Sequence, residues 1–210
     1  MNAKEFLKYV KEQCAESDIK VDLVDGKSID VNGTSCTGSF DDRAKILSVA
    51  INRPESEWLP ILAHEFCHFR QYKENTRAWR NLYCTVVGNT ICCVSILDLW
   101  LSNEIELTKE QLEKYINTTI SVELECEIDT VELIKELELP INIDQYIKQA
   151  NAYLLSYQAM RVFRRWTLRG RSVIKNKRIM TKMDTKFSYS YHDPLPKSLL
   201  EKYIWNFYKD

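Results

Sequence analysis

From Lys109 to Trp166 the chain contains no glycine and one proline, Pro140. Glycine and proline are the main punctuation of local structure, so a stretch without them has little option but long helix. Two helices are expected, about 109–138 and 144–166. Asn117 is a point where the first can break, and Pro140 separates the pair. Asn142 or Asp144 can cap the second. The whole chain has only five glycines and five prolines in 210 residues, which argues against long loops and all-β designs. Its apolar and charged fractions, 45% and 28%, are those of a folded soluble protein. The length suits one domain with a real core, or one domain plus a small lobe. A formal net charge of -1 singles out no partner.

Ahead of the helical half, residues 3–15 place Phe6, Leu7, Val10 and Cys14 at helical spacing. IKVDLVDG (19–26), SIDVNG (28–33) and AKILSVAIN (44–52) read as strands, with Asp-Gly and Asn-Gly as turns. A further helix should begin near Glu57, with Pro60 in its first turn, where a missing N–H costs little. The expected class is α+β and mostly helical. An N-terminal helix and a small antiparallel sheet pack on the helix around residues 62–71, and a helical lobe follows. The segments are 1–75, 76–118 and 119–210, forming one compact unit. Within the middle segment, NLYCTVVGNTICCVSIL (81–97) has no charged residue. It is shorter than the roughly 20 apolar residues a membrane span needs, so a buried or lid-like helix is expected and a membrane partner is not. Its apolar face turned to a substrate or partner is the less favoured alternative. The seven cysteines are odd in number and contain no CxxC, which argues for reduced thiols rather than a disulfide framework or a cysteine cluster. No apolar leader is readable in MNAKEFLKYVKEQ. A cytoplasmic protein is expected.

The chain has three histidines, and two of them fall in LAHEFCHFRQ (62–71). On a helix, positions i and i+4 share one face. His64 and His68 can therefore offer imidazole nitrogens to one zinc ion at about 2.0–2.1 Å. Glu65, beside that pair, is placed to act on a water as general base. This is the HExxH arrangement. A third ligand is needed, and no histidine follows at close spacing. Carboxylates cluster instead in ISVELECEIDTVELIKELELP (120–140). At about 100° per residue, Glu125, Asp129, Glu132 and Glu136 form one polar stripe, as on a solvated face. Glu123 and Glu127 lie one turn apart among Ile120, Leu124, Val131 and Ile134. A carboxylate directed at a core needs a positive partner. Glu123 is assigned as the third ligand, and Glu127 as the residue that orients a ligand histidine through its other ring N–H. The reverse assignment, with Glu127 as ligand, stays open. The plainer reading is that both carboxylates reach out to water from the edge of the apolar stripe.

LAHEFCHFRQY and VELECEIDTVELIKELELPINIDQYIKQANAYLLSY together resemble the small zinc metallopeptidases of bacteriophage and other viral genomes, which are minimal gluzincins. The likeness spans roughly residues 40–73 and 119–207, including the tail YHDPLPKSLLEKYIWNFY. The family's E-x-x-small-acid helix maps onto Glu123, Cys126 and Glu127, with Glu127 where Asp or Asn is usual. The resemblance implies a peptide or protein substrate and, if the chain is viral, the host cytoplasm. In the expected reaction Glu65 takes a proton from the attacking water and passes it to the leaving amine. His192, Tyr189, Tyr191, Tyr153 and Tyr157 are candidates for stabilising the transition state, although an ordinary exposed loop is the simpler reading of His192. An extended peptide could pair with the sheet edge along TGSF (37–40). Two rival readings stand beside this one. Residues 161–182, with nine basic side chains, no acid and Trp166 interleaved, could track phosphates; a solvated face paired with the acidic 104–138 stretch is the plainer account, and nucleic acid is not the expected partner. Alternatively zinc staples an inactive binding protein, with Cys67 or Cys126 as a fourth ligand.

Overall fold

The computed structural model describes residues 1–31, 34–86, 89–168 and 170–208. The Asn32-Gly33 turn, Gly88 and Arg169 lie outside the described residues. The protein is α+β and mostly helical, and it packs as two compact units. One comprises residues 1–76 with 126–146, the other 77–125 with 147–210. The first dividing line falls between Thr76 and Arg77. The second dividing line runs inside a helix, between Glu125 and Cys126, rather than at 119.

In the first unit, helix α1 (Ala3–Ala15) buries Phe6, Val10 and Cys14 on one face and opens with a capping box between Asn2 and Glu5. Strands β1 (Lys20–Val24), β2 (Ile29–Val31), β3 (Thr34–Cys36), β4 (Gly38–Asp41) and β5 (Ile46–Ala50) follow. β2 and β3 form a hairpin. The other three make a sheet in the order β1-β5-β4, with β5 parallel to β1 and antiparallel to β4. The sheet is thus mixed, with β4 at an edge. Leu47, Val49 and Ala50 of the central strand are fully buried.

Helix α2 (Glu55–Glu74) begins two residues before the expected start, which puts Pro60 in its second turn. The lost N–H leaves the Ser56 carbonyl without its helical donor, and Ser56 is exposed, so water can take it. Asn75 ends the helix in the left-handed region at φ 51°, a conformation asparagine tolerates. Leu62, Phe66 and Phe69 are buried. Phe66 meets Phe6 edge-on at 6.1 Å, and Phe69 meets Phe40 at 6.0 Å, tying α2 to α1 and β4.

In the second unit, α3 (Arg77–Leu82) leads into an antiparallel hairpin, β6 (Tyr83–Val86) and β7 (Asn89–Cys92), and then α4 (Cys93–Leu101). The uncharged 81–97 stretch is therefore a hairpin running into a helix, not a single helix. Thr85, Thr90 and Ile91 are β-branched, and that chemistry prevails over the apolar run. The chain goes on through α5 (Lys109–Glu136) and α6 (Ile143–Phe163), both unbroken, then α7 (Lys177–Met180) and α8 (Lys197–Phe207). Asn142 rather than Asp144 caps α6, accepting from the Gln145 N–H at 2.9 Å. Several basic residues of 161–182 are engaged inside this unit. Arg161 pairs with Glu113 at 2.9 Å, Arg164 with Glu106 at 2.8 Å, and Arg171 donates to the Trp205 carbonyl at 2.9 Å. Among the described residues no helix is long and apolar enough to cross a membrane, and none of the seven cysteines is in a disulfide.

Candidate metal centre

Helix α2 carries His64, Glu65 and His68 into the first unit's interior. Glu65 and His68 are each 8% exposed, although polar side chains of this kind are normally solvated. The two imidazoles sit edge to face, with centroids 4.6 Å apart, as expected one helical turn apart. His68 Nδ1 lies 2.8 Å from Oε1 of the fully buried Gln71, three residues on. His64 Nδ1 lies 3.5 Å from Oε1 of Glu127 on α5, which is 5% exposed. Each ring thus presents Nδ1 to a side-chain acceptor. An N–H at Nδ1 makes Nε2 the lone-pair nitrogen and points it away from the acceptor, which is how ligand histidines are prepared.

Cys126 approaches from the same helix as Glu127. Its thiol is 3.3 Å from the His64 carbonyl oxygen and 3.6 Å from His64 Nδ1. The donor atoms of His64, His68 and Cys126 all lie within 4.8 Å of one another, close enough to converge on one ion. Cys126 nevertheless meets the flank of the His64 ring that also faces Glu127. A small side chain there lets α5 come close to α2.

Burial opposes the charged form of His64, but Cys126 and then Glu127 outweigh it, and the imidazole pKa is raised well above its usual value. Burial, then the Glu127 charge, pushes the Tyr146 hydroxyl far up, so it remains a donor, and it donates to Glu127 Oε2. Glu65 faces the edge strand. A Cβ built on Gly38 would stand 2.6 Å from Glu65 Oε1 and 2.5 Å from Ile61 Cγ2. Burial, with Glu65 and Asp30 adding, pushes the Cys36 thiol up to about 11.

Of the residues expected at the site, His64, Glu65, His68 and Glu127 come together within the first unit. Glu123 and His192 belong to the second. His192 is exposed on the segment before α8. Glu123 is half-buried with its Oε2 inaccessible, and its charge helps raise the pKa of the buried Tyr157, second to burial itself. Because α5 is continuous, Glu123 leaves nearly the same helix face as Glu127, about 40° round and about 6 Å earlier along the axis. Gln71, Tyr146 and Gly38 were not anticipated. Gln71 was within reach of helical spacing, at i+3 from His68. Nothing local in sequence marks the other two. The chain matches no protein-family model, no curated protein and no solved structure.

Proposed function

We propose that the protein is a zinc-dependent peptidase in which His64 and His68 hold the metal and Glu65 is the general base. One observation carries this reading: the half-buried His64 and the buried His68 lie one turn apart, each with Nδ1 set against a buried side-chain acceptor, and the buried Glu65 stands between them in sequence. The donors suit zinc, which takes imidazole nitrogens and carboxylate oxygens. Glu123, one turn before Glu127 on α5, is the third ligand expected from the sequence, and its alanine variant is the check on that expectation. A zinc ion held there supplies Lewis acidity and an acidified water. Glu65 accepts the proton of the attacking water and returns it to the departing amine. Glu127 keeps His64 oriented. An extended peptide pairs with the outer edge of β4, whose Gly38 lies against Glu65, so its backbone runs past the base.

The test is elemental analysis with turnover of a mixed fluorogenic peptide library. His64→Ala and Glu123→Ala should lose zinc, whereas Glu65→Gln should retain it and lose all cleavage. Cleavage by Glu65→Gln at the wild-type rate removes the mechanism, and zinc retained by Glu123→Ala moves the ligand role to another residue. The nearness of the Cys126 thiol supports a second reading, a closed zinc site that staples a binding protein. Cobalt substitution separates the two, because a thiolate ligand adds an intense near-ultraviolet charge-transfer band that a set of imidazole and carboxylate ligands lacks.

A further inference from the structure

The acid that orients His64 is itself held. Glu127 is 5% exposed, and a carboxylate withdrawn from water is costly unless its oxygens are hydrogen-bonded. Its Oε1 lies 3.5 Å from His64 Nδ1. Its Oε2 accepts from the hydroxyl of Tyr146, 7% exposed in the first turn of α6. The Asn142 cap sets where that turn begins, and so where the phenol ring enters the core. All of these residues lie in one compact unit.

We infer that Tyr146 is a positioning residue for the metal centre: its hydroxyl pins one oxygen of Glu127 so that the other orients the His64 imidazole. The inference rests on the reading of His64 as a metal ligand. A glutamate has three rotatable bonds, and contact with His64 alone would leave it free to swing. The phenol is rigid and buried, and it donates a single hydrogen bond, so it selects one carboxylate rotamer. Removing the hydroxyl strands Oε2 in the core, and the carboxylate turns to find another donor. His64 then loses the partner that sets its tautomer and ring angle, a loss that typically weakens metal binding about 10- to 100-fold.

The experiment measures zinc affinity by chelator competition in wild type, Tyr146→Phe, Glu127→Gln and the double variant, with thermal melts of the metal-free proteins as a folding control. Tyr146→Phe should weaken zinc about tenfold and shift the visible bands of the cobalt-substituted protein. The double variant should bind no more weakly than Glu127→Gln, because the hydroxyl acts only through that carboxylate. Wild-type affinity in Tyr146→Phe, or losses that add in the double variant, overturns the inference. In wild-type protein carrying 13C at tyrosine Cζ, one resonance should move on zinc addition and stop responding in Glu127→Gln. This reading does not depend on Tyr146→Phe folding, and the lack of any zinc-responsive tyrosine signal overturns the inference by itself. Zinc bound normally by His64→Ala would sink the peptidase reading and this inference together, whereas zinc lost by His64→Ala but held at wild-type affinity by Tyr146→Phe sinks the inference alone.

Discussion

Gly38→Ala adds one methyl group at the point where the edge strand meets Glu65, the proposed general base. An ideal Cβ there stands 2.5 Å from Ile61 Cγ2, 2.6 Å from Glu65 Oε1 and 2.8 Å from Glu65 Cγ. Carbon contacts normally settle at about 3.5–4.0 Å, so each of these atoms has to retreat by about 1 Å. Gly38 is not among the residues at positive φ, so alanine suits the backbone and the substitution tests space alone. Ile61 is β-branched and stiff about χ1 on a helix, which leaves the Glu65 side chain as the part that gives way. Overpacking of this kind costs about 1–3 kcal/mol of stability. A catalytic group displaced by about 1 Å can cost about 100-fold in rate. The expected variant is folded, with a modestly lowered urea midpoint, binds zinc as wild type does, and turns over peptide about 100-fold more slowly. Wild-type turnover, or a crystal structure of Gly38→Ala with Glu65 unmoved, refutes the reasoning. Zinc lost together with turnover would mean that the methyl disturbs α2 as a whole rather than the base.

Zinc at about 100 times its dissociation constant should stabilise the native state by about 2.7 kcal/mol, read as a shift in urea midpoint that His64→Ala abolishes. Alkaline pH should destabilise the protein through its buried thiols. Burial pushes Cys14 up to about 12 against a small opposing effect of Lys73, and burial with Cys84 and Cys92 pushes Cys93 up to about 12. A folded-state pKa above the unfolded one contributes stability that is fully present below the unfolded value, about 8.5 for a thiol, and is lost as pH climbs from there toward 12. The urea midpoint should therefore fall between about pH 9 and pH 11, and the fall should be shallower in Cys14→Ala; an equal slope in that variant would exclude Cys14 as a contributor.

The parts of this fold legible in the sequence are those set by local periodicity. Phe6, Val10 and Cys14 mark α1 over Ala3–Ala15, and the run free of glycine around Cys126 predicts α5 within two residues of its observed end. The HExxH helix and the placing of Glu127 beside His64 follow from 3.6-residue geometry as well, since a turn of helix is all they require. The hairpin over 83–92 was not legible, because a short uncharged run reads alike as buried helix or strand by periodicity. The parallel pairing of β1 with β5 depends on contacts across some 25 residues, such as Val21 with Leu47. Gly38 against Glu65 and Tyr146 on Glu127 are likewise tertiary facts. TGSF could be read as an edge, but nothing in its four letters indicates which side chain its glycine admits.

The charge balance of the first unit bears on the proposed metal site. Glu65 and Glu127 are both under 10% exposed, around two imidazoles. Removing a carboxylate from water carries a penalty of several kcal/mol even after relaxation, and two in one core compound it. In the metal-free protein a proton on His64 would offset part of this: burial opposes the charged imidazole, but Cys126 and then Glu127 raise its pKa. An imidazolium brings a single positive charge and uses Nε2 to carry the proton. A divalent ion at Nε2 displaces that proton, doubles the positive charge beside both acids and leaves the Nδ1–H facing Glu127 in place. On this argument the proton on His64 and the zinc ion compete for one site. Zinc binding should release about one proton per ion near neutral pH, a stoichiometry that calorimetry in buffers of differing ionisation enthalpy measures directly. Release of no proton at pH 7 would mean that His64 is already neutral in the metal-free protein and that the buried acids are balanced in some other way.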